Sequence, residues 1–299
     1  MMRHGDLTNL ARVFGVGVAL FLAVPHPALS RTSVTPAQTS RTQALVEANV
    51  QQALDEQRYI DAELALQQAA SSALSSPKLQ LLQAELMLAR GDYDAALARF
   101  EAIAPTPGVE ARALQGSGIS LALKGKSVAA LVALKMAVAK DPSLWRAWNA
   151  LGEQYDRRHD WTDAEAAYQA ALQAGGNVAT ILNNRGFSRL VQRRLPEAQQ
   201  DFVSALEANP GFTAARTNLR LSLALGGDYT SAVSGGSGEK TVSDLNNAGF
   251  VAALKGDLPT AQRLLGQAQT SSTSFYGRAS ANLGIATRLK RDGGTDAAQ

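Results

Sequence analysis

The chain of 299 residues contains no cysteine, which excludes disulfides, thiolate nucleophiles and cysteine-based metal sites. Histidine is almost as scarce, with three in all, two of which lie in the first thirty residues. The third, His159, cannot by itself complete a Ser-His-Asp triad or a histidine-based metal site. We therefore predict no catalytic residues, no metal site and no cofactor.

Positive and negative side chains are also nearly balanced in number. Lysine and arginine number 29 against 26 acidic residues, a formal net charge of +3, and aromatic residues make up only 6%. So small a positive net charge attracts nucleic acid only weakly. The arginines also lack the interleaved aromatic residues on which bases stack. We therefore predict that the chain does not bind nucleic acid.

The N-terminal segment has the pattern of a secretory signal peptide. Basic residues precede an uncharged apolar run at 13–24, and Ala28 and Ser30 place small residues where a signal peptidase reads. The run is shorter than the roughly 20 residues that span a bilayer. We predict a signal peptide at 1–30, cleavage after Ser30, and a periplasmic location. Residues 31–42 are rich in Ser and Thr and indicate a flexible tether.

Small residues recur through most of the chain with a period of 34. Six alanines follow this spacing: Ala62, Ala96, Ala130, Ala164, Ala198 and Ala232. Twelve positions before an alanine stands another small residue, at Ala84, Gly118, Gly152 and Gly186. A 34-residue period is typical of the tetratricopeptide repeat, a pair of antiparallel helices that stacks on its neighbours. We predict an all-α, right-handed superhelical solenoid of about seven helix pairs with a C-terminal capping helix.

The repeats can be placed in register along the chain. The predicted units are 43–76, 77–110, 111–144, 145–178, 179–212, a degenerate unit at 213–241, 242–275, a capping helix at 277–291 and a disordered tail at 292–299. In the degenerate unit Arg220 replaces the small residue, and Ala261 follows Ala232 by 29 residues rather than 34. We predict a truncated second helix there and an irregular loop at about 234–240, since glycine disfavours helix.

Asparagines recur on the first helices and define a candidate binding groove. First helices line the concave side of such solenoids, where an amide side chain can pair with the backbone of an extended peptide. The candidate groove residues are Asn149, Asn183, Asn184, Asn218, Asn247 and Asn282, with charge supplied by Arg146, Arg157 and Arg189. An alternative remains open, because asparagine at these positions also serves the fold itself, and charge runs are often only solvated surface.

Five stretches of sequence also resemble a narrower family. They are WNALGEQYDRRHDWTDAEAAYQAAL at 148–172, ILNNRGFSRLVQRRLPEAQQDFVSALEANPGF at 181–212, ARTNLRLSLALGGDYTSAV at 215–233, DLNNAGFVAALKGDLPTAQRLL at 244–265 and ANLG at 281–284. In their order they are similar to the tetratricopeptide protein of the tight-adherence (Flp pilus) assembly system. The resemblance implies an envelope protein that helps to assemble a pilus or secretion apparatus by binding the outer-membrane secretin or pilus-assembly subunits.

One departure from that family concerns anchorage. Its members are typically lipoproteins held by an acylated cysteine, which this chain does not have. From this departure, and not from the resemblance, we predict a soluble periplasmic scaffold without a lipid anchor.

The sequence thus predicts a non-enzymatic protein-interaction scaffold of the bacterial cell envelope. A general periplasmic adaptor for polysaccharide export or cell-wall machinery is the first alternative. An enzyme is the second: Glu153, Asp156 and Asp160 are carboxylates that could act as acid and base. Because repeats, tether and tail account for the predicted mature chain, no segment is left for a catalytic domain. The oligomeric state is not predicted.

Overall fold

A computed structural model describes residues 36–235, 239–271 and 276–295 of the chain. These residues form fifteen α-helices: α1 (Pro36–Asp55), α2 (Tyr59–Ser71), α3 (Pro77–Ala89), α4 (Tyr93–Ile103), α5 (Glu110–Leu123), α6 (Ser127–Lys140), α7 (Trp145–Arg157), α8 (Trp161–Gln173), α9 (Val178–Val191), α10 (Leu195–Ala208), α11 (Thr213–Gly226), α12 (Tyr229–Val233), α13 (Glu239–Leu254), α14 (Leu258–Ser271) and α15 (Tyr276–Thr295). Seven successive pairs pack as first and second helices, and α15 packs alone against α13 and α14. The described chain is therefore the all-α solenoid that the 34-residue period predicts.

Each regular pair is held together by a small residue that lies against a large one. A Cβ atom added at Gly152 would come within 2.6 Å of the Tyr168 ring, and one at Gly186 within 2.8 Å of Phe202. The large residue follows the glycine by sixteen positions in both pairs. Because the glycines carry no side chain, the two helices of a pair approach closely and bury these rings completely or almost so.

The periodic alanines mark the buried face of the second helices. All six members of the predicted series, together with Ala261, are at most 1% exposed. An alanine buries its whole side chain without separating neighbouring helices, which explains why a small apolar residue recurs there.

The turn within each helix pair repeats one backbone conformation. Gly91, Gly125 and Gly227 occupy the left-handed region there, at φ of +88°, +73° and +93°. His159 takes the same place in the fourth pair at φ +63°, and its ring contacts that of Trp161 in a tilted arrangement, with 4.9 Å between the centroids. The lone histidine of the described chain is therefore a turn residue.

The degenerate repeat contains a truncated second helix, as the sequence predicts. Helix α12 has only five residues, and the side chain of Arg220 enters the space that a full helix would occupy. Its guanidinium forms an ion pair with Asp244 and donates to the Ser234 carbonyl oxygen at 2.9 Å. The arginine thus replaces a helix–helix contact with one polar contact inside its own repeat, to Ser234, and one to the next repeat, to Asp244.

Three predicted boundaries differ from the structure. Helix α1 begins at Pro36, so residues 36–42 are helical rather than a flexible tether. Helix α13 begins at Glu239, inside the predicted loop at 234–240, and α15 continues to Thr295, inside the predicted tail. The prediction relied on apolar periodicity, which exposed ends of helices do not need. The predicted signal peptide and residues 31–35, 236–238, 272–275 and 296–299 lie outside the described residues, so the predicted end of repeat 242–275 does too.

The close contact at Gly152 leads to a test by one substitution in two settings. We expect Gly152→Ala to destabilise the fold by about 1–3 kcal/mol, because the new methyl group collides with Tyr168. Gly266→Ala should instead stabilise it by about 0.5–1 kcal/mol, since a Cβ there meets no described atom within 4 Å and alanine favours helix. Denaturant unfolding followed by circular dichroism measures both, and equal effects would contradict this account.

Candidate functional site

The first helices form the concave surface of the solenoid. Successive first helices contact one another from α1 to α15, whereas successive second helices make no such contact in the described chain. Elements on the inside of a curve lie closer together than those outside it, so the second helices form the convex surface. All nine predicted groove residues lie on first helices, from α7 to α15.

The predicted asparagines join neighbouring first helices to one another. Asn184 on α9 donates from Nδ2 to Asn149 Oδ1 at 3.2 Å and to Glu153 Oε1 at 2.8 Å, both on α7. Asn149 also donates to Glu153 Oε1 at 2.9 Å. The amide groups and the carboxylate therefore form one polar cluster across two repeats.

The same row of hydrogen bonds continues toward the C-terminus. Asn183 donates to Asn184 Oδ1 at 3.2 Å, and Asn218 on α11 donates to Asn183 Oδ1 at 3.0 Å. Farther along, Asn282 on α15 donates to Asn246 Oδ1 on α13 at 2.9 Å. We call this row the asparagine ladder. It follows that much of its hydrogen-bonding capacity holds first helices together, as in the alternative left open by the sequence.

One predicted asparagine remains outside the ladder. Asn247 is exposed, and its side chain makes no hydrogen bond to the residues that the structure describes. Its neighbour Asn246 is buried and takes the ladder position instead. The sequence analysis missed Asn246 and Glu153 as ladder members, although the pair Asn246–Asn247 repeats the pair Asn183–Asn184.

The three predicted arginines have different environments. Arg189 lies between second helices, where it donates to Glu165 at 2.6 Å and to Asp201 at 2.7 Å. Asp201, with only 4% of its side chain exposed, also binds Arg185 at 2.7 Å. Arg189 is therefore engaged in structural ion pairs, and a groove contact by this residue stays a prediction. Its partners Glu165 and Asp201 lie on α8 and α10, which are second helices and belong to the convex surface.

Arg146 and Arg157 remain accessible. Arg146 lies over the Trp145 ring, 5.1 Å from its centre, and 3.6 Å from Asp55 on α1. About half of its side chain, 49%, is exposed. Arg157 is exposed at the end of α7. Both guanidinium groups can therefore still engage a partner.

Two adjoining cavities lie at the N-terminal end of the concave surface, a feature missed by the sequence analysis. One has a volume of about 270 Å³ and the other about 300 Å³. They share the lining residues Gln51, Asp55, Gln115 and Arg146. Leu54, Leu88, Phe100 and Ile119 line only the first cavity, whose wall also contains the polar residues Gln57 and Glu85. Among these residues only Arg146 was a sequence prediction.

Burial raises the pKa of three carboxyl groups on the first helices. It raises the pKa of Glu153 and of Glu85 above the ordinary range, against the opposing effects of Asn149 and Arg112 respectively. It also raises the pKa of Asp156, which accepts hydrogen bonds from Ser188 at 2.5 Å and Tyr168 at 2.8 Å. These contacts show Glu153 and Asp156 serving the packing between helices.

The described ranges contain no group of three metal-ligating side chains suited to a metal ion. Among the same residues, none of the helices combines the length and the apolar character that crossing a bilayer requires. The chemistry available on the concave surface is therefore that of amides, guanidinium groups, carboxylates and apolar walls, which bind by hydrogen bonding and burial.

The asparagine ladder can be tested at Glu153. Glu153→Gln retains an oxygen for Asn149 and Asn184, whereas Glu153→Ala removes it and should cost about 1 kcal/mol. The pKa of Glu153 is higher in the folded protein than in the unfolded chain. Protonation of Glu153 therefore stabilises the fold at pH values below the unfolded-chain pKa, and this stabilisation is lost as the pH rises through the folded-state pKa. We therefore expect the Gln variant to vary less than wild type in unfolding free energy between about pH 4 and pH 7. If wild type and Glu153→Gln showed the same dependence of unfolding free energy on pH, the raised pKa of Glu153 would be contradicted.

The ion pairs of Arg189 lead to a second stability test. We expect Asp201→Ala to lower the unfolding free energy by about 3 kcal/mol, since it leaves the largely buried side chains of Arg185 and Arg189 without that partner. Arg194→Ala, which removes exposed ion pairs with Glu165 and Glu197, should cost less than about 1 kcal/mol. Denaturant titration of both variants measures the difference, and similar losses would argue against a structural role for Asp201.

Comparison with models of known protein families finds no match for the chain, and comparison with curated proteins finds none either. Solved structures do match. The Cut9–Hcn1 hetero-tetramer of APC/C matches with a TM-score of 0.63 and 15% identity over 84% of this chain. The match covers 51% of that chain, so the present chain spans about half of its length.

Two further matches cover most of the length of the matched protein. A tetratricopeptide repeat protein from Parabacteroides merdae matches with a TM-score of 0.50 and 11% identity, over 83% of this chain and 99% of that one. PilW, a widely conserved type IV pilus biogenesis factor, matches with a TM-score of 0.54 and 18% identity, over 65% of this chain and 92% of that one. At such identities the likeness establishes the fold. The chain is a tetratricopeptide-repeat solenoid.

Proposed function

We propose that the chain is a non-enzymatic protein-interaction scaffold of the bacterial cell envelope. The observation that carries the proposal is the concave surface, on which eight first helices lie side by side without interruption in the described chain. A continuous surface with exposed amide and guanidinium groups can contact a partner along several repeats. Its outer-rim charges select partners and orient them, while burial of apolar groups against the concave surface supplies binding energy.

The process proposed is assembly of a tight-adherence pilus or a related secretion apparatus. Support comes from the family resemblance over 148–284 and from the apolar leader at 13–24, which fits export to the periplasm. The fold likeness to PilW, described as a type IV pilus biogenesis factor, is consistent with that setting. The partners proposed are an outer-membrane secretin or pilus-assembly subunits.

The residues proposed to contact these partners are those that the fold leaves accessible. Arg146, Arg157 and Asn247 expose polar groups on the concave side, and the two cavities lie beside Arg146. Asn149, Asn183, Asn184, Asn218 and Asn282 shape this surface through the asparagine ladder. Their capacity for further hydrogen bonds makes them secondary contacts.

Affinity capture tests this proposal. The tagged full chain is expressed in its own host, the envelope is gently cross-linked, and the bound proteins are identified by mass spectrometry. We expect a secretin or pilus-assembly subunits, with about tenfold lower recovery by an Arg146→Glu/Arg157→Glu double variant, because it reverses charge on the concave surface. Arg99→Glu is the matched control, since Arg99 is exposed on the second helix α4.

Two other outcomes would change the proposal. Recovery of polysaccharide-export or cell-wall proteins would replace the pilus assignment while retaining the scaffold function. Equal recovery by wild type and by the double variant would argue against the concave surface as the binding site.

A further inference from the structure

We infer that the convex side of the fourth and fifth repeats carries a separate binding site for an uncharged saccharide, built around Trp161. The inference goes beyond the proposed scaffold function, because the site lies on the second helix α8 and away from the concave surface. Its cavity has a volume of about 520 Å³, which is within the roughly 300–1,000 Å³ of small-molecule sites. We call it the convex cavity.

The convex cavity is a cleft between one helix and the neighbouring turn. Trp161, Glu165 and Gln169 follow one another at intervals of four residues, so they share one face of α8. Gln192 and Arg194 lie across from them, in the turn between α9 and α10. The cleft therefore joins two successive repeats and has an aromatic ring at the beginning of α8 and an amide group on each wall.

Trp161 lies outside the hydrophobic core. The other two tryptophans of the chain, Trp145 and Trp148, pack against the buried cluster around Tyr168, whereas Trp161 belongs to none of the clusters that the described residues form. Tyr229, which takes the same place in its repeat, does pack against buried clusters. Packing within the fold thus explains the other aromatic residues but not a tryptophan at position 161.

The exposed part of the Trp161 ring provides a surface on which a sugar ring can stack. The side chain is partly exposed, contacts the His159 ring with 4.9 Å between centroids, and lines the convex cavity. Its indole N–H has no hydrogen-bond partner among the described residues. An aromatic ring combines a large apolar face with a polar edge, and the C–H groups on one face of a sugar ring fit against such a surface.

Each amide of the convex cavity is held at one end and open at the other. Gln169 Oε1 accepts from Arg185 at 3.3 Å, so its Nε2 remains available as a donor. Gln192 Nε2 donates to the Ser188 carbonyl oxygen at 3.2 Å and to its hydroxyl at 3.1 Å, which leaves Gln192 Oε1 as an acceptor. Because a sugar hydroxyl both donates and accepts, neighbouring hydroxyls can pair with both walls at once.

The charges around the convex cavity are matched. Glu165 pairs with Arg189 at 2.6 Å and lies 3.7 Å from Arg194, which also binds Glu197 at 3.1 Å. A charged ligand would have to disrupt one of these pairs to gain a counter-ion, whereas an uncharged ligand leaves them intact. A purely apolar ligand would deprive the two amides of their hydrogen bonds with water. The cavity therefore favours a neutral ligand that carries hydroxyl groups.

Oligosaccharide binding tests the inference. The full chain is titrated calorimetrically with neutral tetrasaccharides of glucose, mannose, galactose and N-acetylglucosamine, and with tetragalacturonate as the charged comparison. We expect at least one neutral tetrasaccharide to bind at millimolar concentration or below, and about tenfold more tightly than tetragalacturonate. Trp161→Ala, which removes the aromatic surface, and Gln169→Ala, which removes one amide, should each weaken this binding about tenfold.

Tyr93→Ala is the matched control, because Tyr93 begins α4 at the same place in its repeat but does not line the convex cavity. Circular dichroism checks that each variant retains the fold. The inference is overturned if no neutral tetrasaccharide binds, if tetragalacturonate binds as tightly, or if both Trp161→Ala and Gln169→Ala bind like wild type. Trp161→Ala should still capture envelope proteins at the wild-type level, since the concave surface is unchanged. Loss of that capture would assign Trp161 to protein contacts instead and would overturn the separate site.

Discussion

The close approach of two helices at a glycine or alanine is the contact on which this structure depends. Where Gly152 lies against Tyr168, neither helix can move outward without opening a void, nor inward without a collision. The contact recurs in successive pairs, so each pair presents the same faces to its neighbours. Stacking of such units then brings the first helices together and separates the second helices. The degenerate repeat shows the alternative, because Arg220 fills the position with an ion pair to Asp244.

The concave surface divides its polar side chains between folding and binding. Most asparagines there hold adjacent first helices together, and Glu153 accepts from two of them. Hydrogen bonds are directional and limited in number, so a group used in this way offers less to a partner. Gln115 and Asn247 differ because their amides have no partner in the described chain. The available binding chemistry therefore lies at two places, beside the N-terminal cavities and on α13.

Charge on this solenoid is balanced locally. Asp201 is buried between Arg185 and Arg189, and Glu85 is paired with Arg112. Burial disfavours the ionised carboxylates at Glu85, Glu153 and Asp244, and nearby guanidinium groups oppose that effect. Exposed guanidinium groups such as that of Arg157 are instead solvated by water. Arg146 lies between these two situations, half exposed and held only loosely by Asp55.

The sequence by itself determined the helix pairs, the small residues at their contacts and the truncated α12. These features depend on residues within one repeat, and a period of 34 exposes them directly. The sequence also predicted that the asparagines lie on the first helices, which form the concave surface. Only the tertiary structure decided that Arg189 pairs with Glu165 and Asp201, that Asn246 rather than Asn247 joins the asparagine ladder, and that α1 approaches α7. Such contacts depend on the rotation accumulated over several repeats, which leaves no local pattern in the chain. The same accumulated rotation brings together the residues that line the N-terminal cavities. For that reason no local sequence motif predicts these cavities.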